Sequence, residues 1–419
     1  MALLFTPDVS TWAIAALATA GVILRPWRLP EAIWAVAGAL ALVLLTLLPW
    51  RDALGAVAKG TDVYLFLIGM MLLAELAREE GLFDWLAAHA TRAAGGDPRR
   101  LFALVYLVGI LVTVFLSNDA TAVVLTPAVY AAARTAKAEP LPYLFVCAFI
   151  ANAASFVLPI SNPANLVIFG THMPSLAAWL LRFTLPSILA IGATYAALRI
   201  TQRRSLRQPI ARDIPVPGLS ADGRLAAAGI AVTAIVLLLA SGFALPLGLP
   251  TFLAGTATAA IVLGRRRRNP RPLLQGVSWS VLPLVAGLFV LVEGLAHTGV
   301  IARLATLLQT AADRSITDAS WWAGILSALA CNLMNNLPAG LIAGNAVQAS
   351  GAADRTTSAI LIGVDLGPNL SVTGSLATIL WLNALRREGL GVDAWSFLKI
   401  GLLVMPPALL LAIGGLFVL

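Results

Sequence analysis

Residues 101–134 read LFALVYLVGILVTVFLSNDATAVVLTPAVYAAAR, an apolar arm, a polar tip at Leu116–Thr121 (LSNDAT) and a second apolar arm. The pattern suits a hairpin that enters a membrane and returns to the side it came from; two full crossings are the competing reading. Residues 319–349 repeat it around Asn332–Pro338 (NLMNNLP). Two further apolar stretches, 141–170 and 356–385, are broken by Leu158–Asn165 (LPISNPAN) and Asp365–Ser375 (DLGPNLSVTGS). Pro and Gly unwind a helix, and free backbone N–H and C=O groups survive at membrane depth only inside protein or beside a water-filled cavity. Each break is therefore a candidate site.

The surrounding chain agrees. Of 419 residues, 59% are hydrophobic and 11% charged, against about 25% charged in an ordinary soluble domain, which excludes a soluble enzyme. Apolar runs predict spans near 11–24, 31–49, 63–77, 183–200, 225–241, 250–264, 278–296 and 396–418. Met1–Ser10 lacks a basic run and carries Asp8, so the first apolar run is expected to be a retained helix and not a cleaved signal. Cys147 and Cys331 are the only cysteines and both lie in apolar runs, so no disulfide, zinc or redox motif is present. HExxH and Walker sequences are absent, and no GxSxG with partners appears. Neither a membrane protease nor a self-powered ATPase is supported, and energy must come from an ion gradient or a partner.

The net charge of +8 lies in short arginine bursts without aromatic platforms, a topology signal and not a nucleic-acid surface. If both polar-tipped stretches are re-entrant, one alternating set of loops holds 22 of the 28 Lys and Arg residues, including Arg265–Arg268, and the other set holds 6. The positive-inside rule makes the richer set cytoplasmic. Ten crossings, two re-entrant hairpins and external termini follow. Tryptophans such as Trp12, Trp50, Trp279 and Trp395 fall near span ends, where interfacial anchors belong.

Aligned without gaps, Gly69 meets Gly287, Glu75 meets Glu293, Gly81 meets Gly299 and Asn118 meets Asn336, all 218 residues apart. A shorter offset of 213 brings Asn152 to Asp365 and 158–166 to 371–379. The halves start on opposite sides, so the repeats are inverted: residues 1–200, a basic cytoplasmic linker at 201–224, and residues 225–419. The fold class expected is an all-α polytopic membrane protein of two inverted repeats, with about ten transmembrane helices, two re-entrant hairpins and two discontinuous helices. Transporters of this design bind substrate near the midplane, at the repeat interface.

Ser117, Asn118 and Thr121 at one tip, Asn335 and Asn336 at the other, Ser161, Asn162 and Asn165 in the first break, and Asn369, Ser371, Thr373 and Ser375 in the second are the candidate substrate ligands. Asparagine donates and accepts, so this set suits a neutral polyhydroxy solute or a cation. Capping of arm ends and a kinked helix satisfied by its neighbours are the structural alternatives. Asp119 and Asp365, the only carboxylates in the breaks, are the candidates for proton coupling, with Glu75 and Glu293 in reserve. His297, four residues beyond Glu293, could pair with it. No metal site or cofactor is expected.

Phe115–Pro127 (FLSNDATAVVLTP), Asn335–Pro338 (NNLP) and Asp365–Trp381 (DLGPNLSVTGSLATILW) together resemble the ArsB-type arsenite efflux permeases of the ion transporter superfamily. The resemblance runs over nearly the whole chain. It implies export of arsenite and antimonite across a bacterial inner membrane by proton antiport, in some systems with a soluble ATPase attached, and a mobile region of hairpins and broken helices on a scaffold. Where the family is expected to carry Ser-Asn-Leu-Val-Asn, this chain has Ser161-Asn162-Pro163-Ala164-Asn165. A sodium/proton antiporter, or another anion transporter on the same scaffold, is the second expectation. A non-transporting membrane scaffold is the third, and it would not need matched polar breaks.

Overall fold

A computed structural model describes residues 6–212, 214–265 and 267–418, helices and connecting loops with no strand among the described residues. Residues 1–5 and 419, on which the external termini were expected, and Arg266 of the four-arginine run lie outside them. The first repeat runs α1 (Pro7–Leu24), α2 (Glu31–Leu44), α3 (Trp50–Lys59), α4 (Thr61–Glu79), α5 (Leu82–Ala94) and α6 (Pro98–Phe115). It continues through α7 (Asn118–Ala120), a π turn (Thr121–Leu125), α8 (Thr126–Thr135), α9 (Leu141–Ala153), α10 (Pro163–Phe169) and α11 (Leu176–Thr201). The second repeat opens with α12 (Ala221–Gly242), α13 (Gly248–Arg265), α14 (Arg271–Gly276), α15 (Val281–His297) and α16 (Val300–Arg314). It closes with α17 (Ile316–Met334), α18 (Asn336–Ser350), α19 (Asp354–Leu366), α20 (Leu376–Arg387) and α21 (Ala394–Gly415).

The two offsets recur in the helices. α6 and α17 start 218 residues apart and are capped by Asp97 and Ser315, also 218 apart. α9 and α19 start 213 apart, as do α10 and α20, whose caps are Asn162 and Ser375. Ahead of α5 and α16, Gly81 and Gly299 hold φ of 72° and 77°, left-handed conformations that a side chain would strain.

The repeats interlock and do not sit side by side. α4 packs on α13 of the other repeat, and α15 packs on α2. Both seams close on small residues: a Cβ on Gly69 would lie 2.3 Å from the Thr251 carbonyl oxygen, and one on Gly287 would lie 2.7 Å from the Ala35 backbone. In lipid, where no hydrophobic effect presses helices together, such backbone approach is what holds them. The exchange extends to the hairpins, since the first tip packs against α20 and the arm α18 packs against α10.

The outward face is apolar, with Leu17, Leu181, Leu239 and Leu403 exposed, as a lipid-facing surface must be. Five helices, α1, α6, α11, α12 and α21, are long and apolar enough to cross a membrane by themselves; the pairs α3–α4 and α15–α16 qualify jointly, bent by 47° and 74°. The span expected over 31–49 ends as helix at Leu44, because Leu47 N–H turns back to the Leu42 carbonyl and Pro49 follows. α5 and α16 fall outside the expected spans because their apolar faces are stripes and not continuous runs. The chain between α11 and α12 is tied down: Ile210 N–H donates to the Gly96 carbonyl (3.2 Å) and Ala211 N–H to the Ala136 carbonyl (2.8 Å), at the two feet of the first hairpin.

Candidate transport site

The two broken helices meet in a buried polar junction. In the first break, 154–162, the chain leaves helix at Ala154 and re-enters at Pro163, which suits the first turn because it has no N–H to leave unpaired. Asn162 caps α10 by accepting from Ala164 N–H (3.0 Å), and its amide donates 2.7 Å to Asp365 Oδ1 at the end of α19. The other half of the junction is related by the repeat. Ser375 caps α20 by accepting from Thr378 N–H (3.1 Å), and its hydroxyl lies 3.5 Å from Oδ1 of Asn152, the residue equivalent to Asp365. Asn152 also donates to Asn369 Oδ1 (2.9 Å), and Asn369 donates to the Phe149 carbonyl (3.1 Å). Asp365 is 1% exposed, and its second oxygen, Oδ2, is buried with no hydrogen-bond partner.

Four of the expected ligands brace the backbone instead of facing an open site. Asn165 donates to the carbonyls of Ser155, Leu158 and Pro159 (2.9–3.3 Å), closing the first break on itself. Ser161 donates to the Val114 carbonyl (3.1 Å), tying that break to α6. Ser371 donates to Asn332 Oδ1 (2.6 Å) and Thr373 to the Asn332 carbonyl (3.0 Å), while Asn332 donates to Gly367 (3.0 Å). Unwound backbone at this depth needs such partners, and these side chains supply them.

The hairpin tips behave differently. Ser117, with extended φ of 179°, caps α7 through Ala120 N–H (3.1 Å), and Thr121 Oγ1 pairs with Thr113 Oγ1 (2.8 Å). The π turn behind it coincides with Pro127, which has no N–H to continue an α ladder. Asn335, at φ 75°, turns the second tip and accepts from Leu337 N–H (3.4 Å). Asn118 Oδ1 accepts from Asp119 N–H (2.9 Å), leaving its amide nitrogen without a hydrogen bond. Asn336 is 3% exposed and its side chain makes no hydrogen bond within the described residues. Among the described residues the uncommitted polar groups of the tips and breaks include these repeat-related amides, the Asn335 amide nitrogen, the Asp119 carboxylate, Asn165 Oδ1 and the free Asp365 oxygen.

Asp119 is half-buried and lines a cavity of about 70 Å³ together with Glu75 and Ser117. Glu75 is buried and its carboxylate takes a two-point contact from Arg78 (2.5 and 2.9 Å). Glu293 pairs with Lys59 (2.7 Å), not with His297, which lies 3.6 Å from Asp52 on α3. The tertiary approach of α3 to α15 supplies both partners, and no spacing along α15 could show it. Neither reserve glutamate is hydrogen-bonded to a residue of a break.

Asn152 and Asn332 are absent from the expected ligand set, although the junction and the second break hang on them. Their signal was an asparagine inside an otherwise apolar helix, where an amide without a partner is costly. Among the described residues no group of three or more His, Cys, Asp or Glu side chains could hold a metal ion.

The citrate transporter family profile matches residues 15–368. The arsenical pump membrane protein of Yersinia enterocolitica is 30% identical over 368 residues, covering 83% of this chain and 84% of that protein. Its counterpart in Escherichia coli (strain K12) is 29% identical over 364 residues, with the same coverage. The crystal structure of the Alcanivorax borkumensis YdaH transporter, described as having an unusual topology, superposes with a TM-score of 0.59 at 16% identity, over 88% of this chain and 87% of that one; that likeness concerns the fold. Matched over most of its length, with two inverted repeats built around broken helices, the chain belongs to the citrate transporter family as an ArsB-type permease, a multi-pass membrane transporter and not an enzyme.

Proposed function

We propose that this permease exports arsenite, and antimonite with it, from the bacterial cytoplasm in exchange for protons. The observation that carries the reading is chemical: the four polar stretches at 116–121, 158–165, 332–338 and 365–375 contain amides, hydroxyls and two carboxylates, but no Lys, Arg or His. Near neutral pH arsenite is mainly an uncharged trihydroxide, which such groups can surround without a counter-charge. Citrate would call for arginine forks. The names of the arsenical pump relatives support the same substrate class.

In this reading Asn118 and Asn336 contact substrate, because they are the repeat-related pair of tip residues with uncommitted amides. Ser117, Thr121 and Asn335 shape the tips, while Ser161, Asn165, Ser371 and Thr373 brace the unwound backbone of the breaks. Asn162, Asn369 and Ser375 form the junction around Asp365, whose free oxygen takes up and releases the coupling proton. Asp119, on the cavity wall, is the next candidate, ahead of Glu75 and Glu293. The repeats, 1–200 and 225–419, flank a cytoplasmic linker, and both termini are external in the inner membrane. A tag after Arg268 is then accessible from the cytoplasm and one at His172 from outside; both on one side would overturn the orientation.

The experiment is arsenite flux in proteoliposomes with an imposed pH gradient. Uphill movement is expected, and a gradient that drives sodium or citrate but not arsenite ends the reading. A citrate-like anion has one observation in its favour, the capped helix N-termini of α7, α10, α18 and α20 at the breaks, whose dipoles favour negative charge. The same vesicles loaded with citrate test it.

A further inference from the structure

Two cavities lie against α4, and they share no residue. The first, beside Asp119, touches α4 at Phe66, Leu67, Met70 and Glu75, α10 at Pro163, and α15 at Val281. The second, of about 310 Å³, touches α3 at Lys59, α4 at Asp62 and Val63, α10 at Leu166 and Val167, and α15 at Phe289. Going from the second cavity to the first, α4 advances from Val63 to Phe66, while α10, which packs against it, steps back from Leu166 to Pro163. α15 likewise steps back, from Phe289 to Val281. Three helices thus place the cavities in the same order along the seam. The separation is three residues on α4 and on α10, about 4.5 Å at 1.5 Å per residue, and eight on α15, about 12 Å.

We infer that the two cavities are the inner and outer halves of one translocation path, closed by a plug that is a single helical turn thick where α4 meets α10. Phe66, fully buried, is its centre, with Val63, Pro163 and Leu166 around it. Charged groups stand at both mouths, Glu75 and Asp119 at one and Lys59 and Asp62 at the other. The intervening α4 residues, Val63–Ala74, carry none. A dry apolar constriction excludes ions and water and yields when side chains part, which is how hydrophobic gates work in channels. The path suits a small uncharged polar solute, since a fixed charge would be stranded in the plug. Because the mouth with Glu75 adjoins the basic loops, it is the cytoplasmic one.

The inference rests on the transporter reading but not on arsenite, so it is tested without that substrate. In a Cys147→Ser/Cys331→Ser background, Ala74→Cys and Val167→Cys are exposed to a charged methanethiosulfonate reagent from each side of oriented vesicles. Ala74→Cys should react only from the linker side and Val167→Cys only from the other. Both reacting from one side, or neither from either, overturns the path. Phe66→Ala should raise passive glycerol entry, followed by light scattering, on the order of tenfold, while Phe66→Leu stays near the parent. Unchanged glycerol entry in a monodisperse Phe66→Ala protein removes Phe66 from the plug. If Phe66→Ala does not fold, the labelling result decides alone.

Discussion

Asn152 and Asp365 occupy the same place in the two repeats, each in the last turn of a buried helix before a break. Each faces the cap of the other repeat's second half-helix, Ser375 in one case and Asn162 in the other. Asn152 is neutral and bonded at both ends of its amide, whereas Asp365 is ionisable and bonded at one oxygen only. The scaffold needs both positions to be polar, and only the second adds a group that can gain and lose charge. Symmetry in this molecule builds the frame, and its violation at one residue supplies the chemistry.

The largest expected effect follows from that violation. Asp365→Asn makes the two positions chemically alike and keeps an oxygen for the Asn162 amide, so pH-gradient-driven uphill export should be abolished while arsenite counterflow exchange remains measurable in the same vesicles. If Asp365→Asn keeps full uphill transport, the comparison is broken and Asp119→Asn is examined next.

The tip asparagines sharpen it from the other side, since Asn118 and Asn336 are the repeat-related pair with uncommitted amides. Asn118→Ala and Asn336→Ala should each weaken arsenite binding by about 1–3 kcal/mol, or roughly 5- to 150-fold in affinity. Direct binding to purified protein checks this, and one variant binding at parental affinity would show that only one tip contacts substrate.

The frame itself should respond symmetrically. Gly69→Ala and Gly287→Ala push a methyl into a backbone of the opposite repeat, and each should cost about 1–3 kcal/mol of stability, seen as a lower Tm in detergent. A large difference between the two would show that one seam carries the assembly. The smallest effect belongs to Cys147→Ser and Cys331→Ser. Both thiols are buried against backbone carbonyls, of Tyr143 (3.7 Å) and Val364 (3.6 Å), to which a serine hydroxyl can also donate. Transport by the double variant should stay near the parental rate; its loss at normal expression would point to thiol ligation of arsenic.

Much of this was legible in the chain because it is written locally. Apolar arms around LSNDAT and NLMNNLP, Pro and Gly inside LPISNPAN and DLGPNLSVTGS, and the 218 and 213 offsets mark the helix starts, breaks and repeats. Each depends on backbone rules that act within a few residues, or on counting. The partners of Glu293 and His297 were not legible, because α3 and α15 meet only after the chain has crossed the membrane several times.

The sequence by itself determined the membrane class, the breaks and their residue types, since hydrophobicity, helix breaking and polarity are properties of short segments in lipid. Only the tertiary structure decided which polar residues are committed and which are open. Asn162 reaches Asp365 across 203 positions of chain, and Ser161 and Asn165 turn to backbone carbonyls, through an interlock of repeats that no local signal encodes. A hydrogen bond in a low-dielectric interior is decided by what packing brings within about 3 Å, and packing here belongs to the pair of repeats and to neither alone.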